Sequence, residues 1–271
     1  MAKVISICNQ KGGVGKTTTA ISIASYVALS SKKTLLIDLD SQANATSGLG
    51  INKNSIEFST YECLLGYKSL KDIILATEVN NLWLAPSNTR LTGAEIELTQ
   101  EANREGRLKQ AIEAIKGEYD FIFIDTPPSL GILTLNALTA ADQLMVPLQC
   151  EYYSLEGVSQ LLNTINLVKS SLNPSLEIGG VLLTMADFRA NLTHEVINEI
   201  KGYFGDKVFE AIIPRSIKVA ESPGYGKPIF MYDPTSPAAL KYKEVGKEFL
   251  KRNKTGMFSG LFKKNNIVNS E

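Results

Sequence analysis

A doubly wound α/β fold, with a mostly parallel sheet flanked by helices, is predicted by three observations. Short apolar runs alternate with helix-length segments along most of the chain. The first run leads through a glycine-rich turn into a helical pattern, Asn9 to Thr18 and then Thr19 to Leu29. Two later runs, Thr34 to Asp38 and Phe121 to Asp125, end in aspartates, and parallel sheets carry their chemistry at such carboxyl ends.

The first element is a strand over Val4 to Cys8. The turn after it has the layout of a phosphate-binding loop. Gly12, Gly13 and Gly15 lack a Cβ, so backbone N–H groups there, with those of Val14 and Thr18, can close around a polyphosphate. The helix behind the loop points its positive end at the same place. Lys16 supplies a cation for the outer phosphates, and the Thr17 hydroxyl is suited to Mg²⁺. Where the common form of the motif has glycine, this chain has Gln10, followed by Lys11, so the loop holds two lysines. A second cation beside one triphosphate is useful where charge grows in the transition state, or where the phosphate belongs to a neighbouring subunit.

The second strand places Asp38 and Asp40 beyond its end, facing the loop, where an acid can hold the Mg²⁺ shell or orient an attacking water. Two short amphipathic helices follow, Thr60 to Leu65 and Leu70 to Leu75, broken at Gly66. Leu82 to Ala85 reads as a short strand stopped by Pro86, with Trp83 in the core, and Leu91 to Ile115 as one helical stretch of mixed charge. Phe121 to Asp125 is a buried central strand that delivers a carboxylate at its tip, and Pro127 and Pro128 then force the chain away. A helix through Ala140, a strand over Leu144 to Pro147 and a long helix from Glu151 to Leu172 come next. Ile178 to Thr184 is a strand, the helix after it ends at Tyr203, and Val208 to Ile213 is the last strand. Ser222 to Ile229 is a loop and Pro237 to Leu250 the final helix.

With 44% hydrophobic and 21% charged residues the chain can bury an ordinary core. Lys plus Arg and Asp plus Glu each number 28, so nucleic-acid binding requires a local basic patch. Cys8, Cys63 and Cys150 are far apart and form no metal or disulfide framework, and His194, the lone histidine, supports no catalytic triad. Neither a signal-peptide layout nor a membrane-length apolar run is visible, so a soluble cytoplasmic protein is expected. Residues 1–252 are expected to form one domain and 253–271 a basic tail, in which Met257 to Lys264 mixes apolar residues with lysines.

The two-lysine loop, the Asp38-Leu-Asp40 segment with Gln42-Ala-Asn-Ala-Thr46, Ile124-Asp-Thr-Pro-Pro128 and Pro214-Arg-Ser216 occur in the order seen in the ParA/Soj partitioning ATPases, P-loop NTPases of the deviant Walker A type, which this chain resembles over nearly its whole length. The resemblance implies a MgATP-driven homodimer in which Lys11 of each subunit reaches the other's phosphates, with Gly12 and Glu151 at the dimer face. It makes Asp40 the hydrolytic carboxylate and Lys11 and Lys16 its catalytic companions, with Thr17, Asp38 and Asp125 around the metal. Pro214 and Ser216 fall where the family contacts adenine, although Ser216 replaces an asparagine. Arg189, Arg215 and Lys218 fall on a face for non-specific double-stranded DNA, and Lys218 replaces an arginine, keeping charge but not the planar fork. The implied partner is a ParB/Spo0J-type centromere-binding protein, and the implied location the nucleoid. A MinD-like membrane-cycling ATPase is the alternative, through membrane contact by the tail. The nitrogenase iron protein class shares the fold, but Cys8, Cys63 and Cys150 are wrongly placed for its bridging cysteines.

Overall fold

A computed structural model describes residues 1–151 and 154–254, without side chains at 154–157 and 159. The strands are β1 (Lys3–Ile7), β2 (Thr34–Asp38), β3 (Leu75–Ala76), β4 (Leu82–Ala85), β5 (Phe121–Asp125), β6 (Gln143–Gln149) and β7 (Glu177–Thr184). The helices begin with α1 (Lys16–Leu29), α2 (Asn44–Gly48), α3 (Thr60–Leu64), α4 (Leu70–Ile73), α5 (Leu91–Glu97) and α6 (Arg107–Glu113). They continue with α7 (Ile132–Ala140), α8 (Ser154–Ser171), α9 (Asn191–Phe204), α10 (Ile217–Glu221), α11 (Ile229–Tyr232) and α12 (Pro237–Lys254).

The sheet runs β3-β4-β2-β5-β1-β6-β7, all parallel except the β3–β4 pair. Strand β1 lies between β5 and β6, so the chain order reverses beside the glycine-rich loop, the place where open α/β sheets bind ligands. Successive residues alternate between the faces. Ile5, Leu36 and Phe123 pack with α1 and α12, whereas Val4, Leu35, Ile37, Ile122 and Ile124 face the side covered by α3 and α5 to α7. Each large side chain buried this way contributes about 1.5–3 kcal/mol.

Several elements depart from the sequence expectation. Leu75 leaves the helix expected for it, because Ile74 turns extended and Leu75–Ala76 pair antiparallel with β4. The stretch from Leu91 to Ile115 is not one helix: Glu101 is extended and Asn103 left-handed at φ 55°, which separates α5 from α6. Val208 to Ile213 runs along the edge of β7 without forming a continuous strand: the Phe209 and Ile213 N–H groups donate to the Val181 and Leu183 carbonyls, and the pairing is confined to isolated bridges at Val181–Val208 and, just beyond, Ala186–Pro214. The Phe209 ring sits where a Cβ on Gly180 would lie, 2.4 Å away, so a side chain at that point would push the segment off. Glu151 precedes α8 rather than opening it, and α12 continues through Asn253 and Lys254. Part of the segment expected as a loop, Ser222 to Ile229, is a 3₁₀ turn (Ser222–Tyr225). Trp83 is half-buried, edge-on to Tyr119 with ring centroids 5.8 Å apart. The expected tail segment Met257 to Lys264 lies outside the described residues. No described helix is long and apolar enough to cross a membrane.

Candidate functional site

The loop between β1 and α1 takes the shape its glycines permit. Gly13 and Gly15 have φ of 74° and 86°, a region closed to most side chains. Gly15 is also the N-cap of α1 and has no side chain to cap that helix, so its first N–H groups are open to an anion. Asn9 holds the entrance, its amide donating to the Pro147 carbonyl at 2.7 Å and its side-chain oxygen accepting from the Lys11 N–H at 3.0 Å.

The two lysines occupy different environments. Lys16 is buried, 7% exposed, and its Nζ donates to the Lys11 carbonyl at 3.2 Å, across the loop. Burial lowers its pKa, and the carboxylates of Asp125 and Asp40 partly counter this. Lys11 Nζ donates to Glu151 Oε2 at 3.1 Å, just beyond the end of β6. The Gln149 amide donates to Glu151 Oε1 at 2.8 Å, and Arg215 Nη2 lies 3.8 Å from the same oxygen. Lys11, expected to reach a partner's phosphate, is thus held in this single subunit by the acid expected beside it.

Asp38 and Asp125 are register partners across β2 and β5, both fully buried. The Asp38 carboxylate accepts from the Thr46 N–H at 2.8 Å, the Thr46 hydroxyl at 2.7 Å and the Asp40 N–H at 3.1 Å. Asp38, expected around the metal, thus also holds the Asp40 turn and α2. Burial pushes its pKa up to about 6 against the pull of those bonds. Asp125 differs: neither oxygen has a hydrogen-bond partner among the described residues, although Thr17 lies near enough to hold its pKa down in part. Burial first, and then the Asp38 charge, raise Asp125 well above the carboxylate range. A buried carboxylate with open oxygens beside the Thr17 hydroxyl is a hard-oxygen donor set that fits Mg²⁺. Asp40, 7% exposed, accepts from the Gln42 N–H at 2.9 Å and stands at the head of the left-handed Ala43 turn, φ 54°.

The remaining expected residues lie on the rim. Pro214 bridges Ala186, and the Arg215 N–H donates to the Ala186 carbonyl at 3.1 Å, which brings the Arg189 loop and Arg215 side by side. Ser216 caps α10, its hydroxyl accepting from the Val219 N–H at 3.4 Å. Arg189 is 90% exposed and is clasped by Asp187 through two bonds of 2.8 and 2.6 Å. Lys218 pairs with Glu221 at 3.2 Å, and the Tyr232 hydroxyl donates to the same carboxylate at 2.9 Å. Each cation of the expected DNA face is accordingly matched by an acid of its own chain. Sequence reasoning did not mark Thr46 or Asp187 as members of the site. Thr46 closes the Gln42-Ala-Asn-Ala-Thr46 segment that carries the resemblance, and Asp187 stands two residues before Arg189, so each had a signal in the sequence but no role assigned to it.

Loop, buried acids and switch-point position together define a nucleotide-binding protein of the P-loop class. An AAA domain family model matches residues 2–178. The chain is 54% identical over 248 residues to the sporulation initiation inhibitor protein Soj of Bacillus subtilis, covering 92% of this chain and 98% of Soj. It is 51% identical over 253 residues to the chromosome partitioning protein ParA of Myxococcus xanthus, covering 93% and 89%. Among solved structures it resembles a Mycobacterium smegmatis protein described as cobyrinic acid a,c-diamide synthase with bound ADP and magnesium, at 36% identity and TM-score 0.84 over 94% of this chain and 97% of that one. The chain belongs to the ParA/Soj family of chromosome-partitioning ATPases. The nucleotide and magnesium of the M. smegmatis structure accord with the ATP and Mg²⁺ expected from the loop.

Proposed function

We propose that this chain is a MgATP-dependent dimerising switch that binds duplex DNA without sequence preference and moves a chromosome or plasmid with a ParB-type partner. The observation that carries this reading is the division between the two loop lysines. Lys16 is buried and turned across the loop, in reach of a phosphate bound there. Lys11 pairs with Glu151 rather than with the loop, through a partly exposed and weak ion pair that the phosphate of a second subunit can displace.

In this mechanism the backbone of Gly12 to Thr18 cradles the phosphates, and Lys16 neutralises the outer ones. Thr17 and Asp125 would hold Mg²⁺, which supplies charge compensation for the transferred phosphoryl group. Asp40, at the mouth of the site, orients the attacking water, while Asp38 keeps the Asp40 turn in place through Thr46. Pro214 and Ser216 border the base, with the Ser216 hydroxyl shared with its helix cap. Pairing two subunits would join Arg189, Arg215 and Lys218 into one basic surface in the nucleoid. Hydrolysis is slow alone and stimulated by the partner, because a timer must outlast the search for its target.

Light scattering in ADP, ATP, and ATP with duplex DNA tests the reading, using Asp40→Ala to block turnover. A dimer in ATP that binds DNA supports it; single chains under all three conditions overturn it. Lys16→Ala should abolish tight nucleotide binding.

A further inference from the structure

The carboxyl end of β7 touches the back of the phosphate loop. The Thr184 hydroxyl, on a residue 2% exposed, donates to the Val14 carbonyl at 2.9 Å, 170 positions away in the chain, with the Leu148 carbonyl at 3.2 Å as a second acceptor. The next residue, Met185, has φ 53°, a conformation uncommon for a long side chain and frequent where the surroundings over-determine the backbone. Met185 reaches the loop as well: a Cβ on Gly15 would lie 3.9 Å from its Cε and 4.0 Å from the Thr184 methyl. The Gln149 amide, which donates to Glu151, lies 3.5 Å from the Met185 sulfur.

We infer that Thr184 is a positioning residue for the phosphate loop, an inference that rests on the nucleotide site proposed above. A peptide unit is planar and trans, so the carbonyl of Val14 and the N–H of Gly15 point in opposite directions from one plate. Fixing the Val14 carbonyl toward β7 therefore aims the Gly15 N–H away from β7. Without a donor the buried carbonyl would lose its partner, and with glycine on one side of it the plate could rotate at little steric cost. The Thr184 hydroxyl thus keeps the loop in its phosphate-accepting form before nucleotide arrives. It touches no reacting atom, so its effect falls on binding rather than on the chemical step.

The test compares Thr184→Val, which keeps shape and removes the hydroxyl, with Thr184→Ser, which keeps the hydroxyl, and with Lys16→Ala. Affinity for a fluorescent ATP analogue is measured by titration, kcat at saturating ATP by phosphate release, and folding by thermal melting. We expect Thr184→Val to bind about tenfold more weakly, a loss of about 1.4 kcal/mol, with kcat within about twofold and Thr184→Ser near the parent protein. Should Thr184→Val bind as the parent does while Lys16→Ala loses nucleotide, the positioning role is wrong and the site stands. Equal losses in the Val and Ser variants would likewise overturn it, since packing of the methyl and not the hydroxyl would then matter. Undiminished binding by Lys16→Ala would remove the site itself, and this inference with it.

Discussion

Asp38 and Asp125 face each other in register at the ends of adjacent strands, equally buried, yet one carboxylate accepts three hydrogen bonds and the other has none among the described residues. Two buried acids in contact are costly unless one is protonated or a cation joins them. Their inequality assigns different work to residues that look alike in sequence. Asp38 organises the turn that carries Asp40, and Asp125 is left open toward Thr17.

The cost of that arrangement should be visible in the nucleotide-free protein. Burial raises Asp38 from 3.8 to about 6, so the stability associated with its protonated form is complete below the unfolded value and lost as pH rises through about 6. A shift of that size amounts to about 3 kcal/mol. Burial and the Asp38 charge also raise Asp125, so Asp125→Asn, which removes that buried acid, should stabilise the metal-free protein little near pH 4 and increasingly as the pH rises above the unfolded carboxyl value. The same variant should lose the Mg²⁺ dependence of nucleotide binding. Denaturant melts in EDTA across that range provide the measurement, and a benefit independent of pH would refute the coupling.

The Lys11–Glu151 pair should act as a weak restraint. Its side chains are 36% and 46% exposed, and ion pairs so placed contribute about 0–1 kcal/mol after solvent screening. Glu151→Gln should therefore move the ATP concentration for dimerisation by no more than about fivefold. Lys11→Ala should abolish the ATP dimer while leaving ATP bound to single chains. Light scattering with parallel nucleotide titration separates the two effects; a dimeric Lys11→Ala protein would contradict the role given to Lys11.

Much of this site is legible in the sequence alone, for a local reason. Residues 9 to 18 hold their chemistry in one continuous segment, and β2 and β5 are apolar runs ended by aspartate, so period and punctuation sufficed. What escaped depends on turns or on distant partners. The engagement of Asp38 by Thr46 requires the left-handed Ala43, which no residue preference announces. The Thr184–Val14 contact joins segments with no shared pattern. The break in Leu91 to Ile115 turns on Asn103 adopting φ 55°, and the close packing of Phe209 over Gly180 depends on a glycine twenty-nine residues away. The pairing of each rim cation with an acid is a matter of side-chain direction, invisible at the level of composition.

Gly226 should be far less replaceable than its neighbour Gly224. Gly50 and Gly226 both have positive φ, 80° and 64°, and a Cβ on Gly226 would come 2.6 Å from the Gly50 Cα. This contact joins the segment following α2 to the turn that follows α10. Gly226→Ala should cost about 2–3 kcal/mol through clash and backbone strain. A Cβ on Gly224 meets nothing within 4 Å among the described residues, so Gly224→Ala should stay within about 0.5 kcal/mol of the parent. Urea unfolding of the two variants decides, and equal midpoints would show that the loops separate freely.

Asp187 offers the sharpest test of the proposed DNA face. Arg189 donates to both of its oxygens, and those bonds hold the Asp187 carboxyl down to about 2, so no physiological pH releases the arginine. Arg215 adds to the same pull. A phosphate approaching Arg189 must therefore compete with a carboxylate already in place. Asp187→Ala should remove the competitor, tighten binding of the ATP-state protein to duplex DNA, and steepen the slope of log affinity against log salt by up to about 0.9 for each further phosphate neutralised. Because both groups are solvent-exposed, the melting temperature should barely change. Arg189→Glu combined with Lys218→Glu should do the opposite, abolishing DNA binding while the ATP dimer persists. Fluorescence anisotropy with labelled duplex at several salt concentrations reads both. Weaker binding by Asp187→Ala would mean that the aspartate holds Arg189 in its DNA-binding pose, and unchanged binding by the double variant would place the DNA face elsewhere on the molecule.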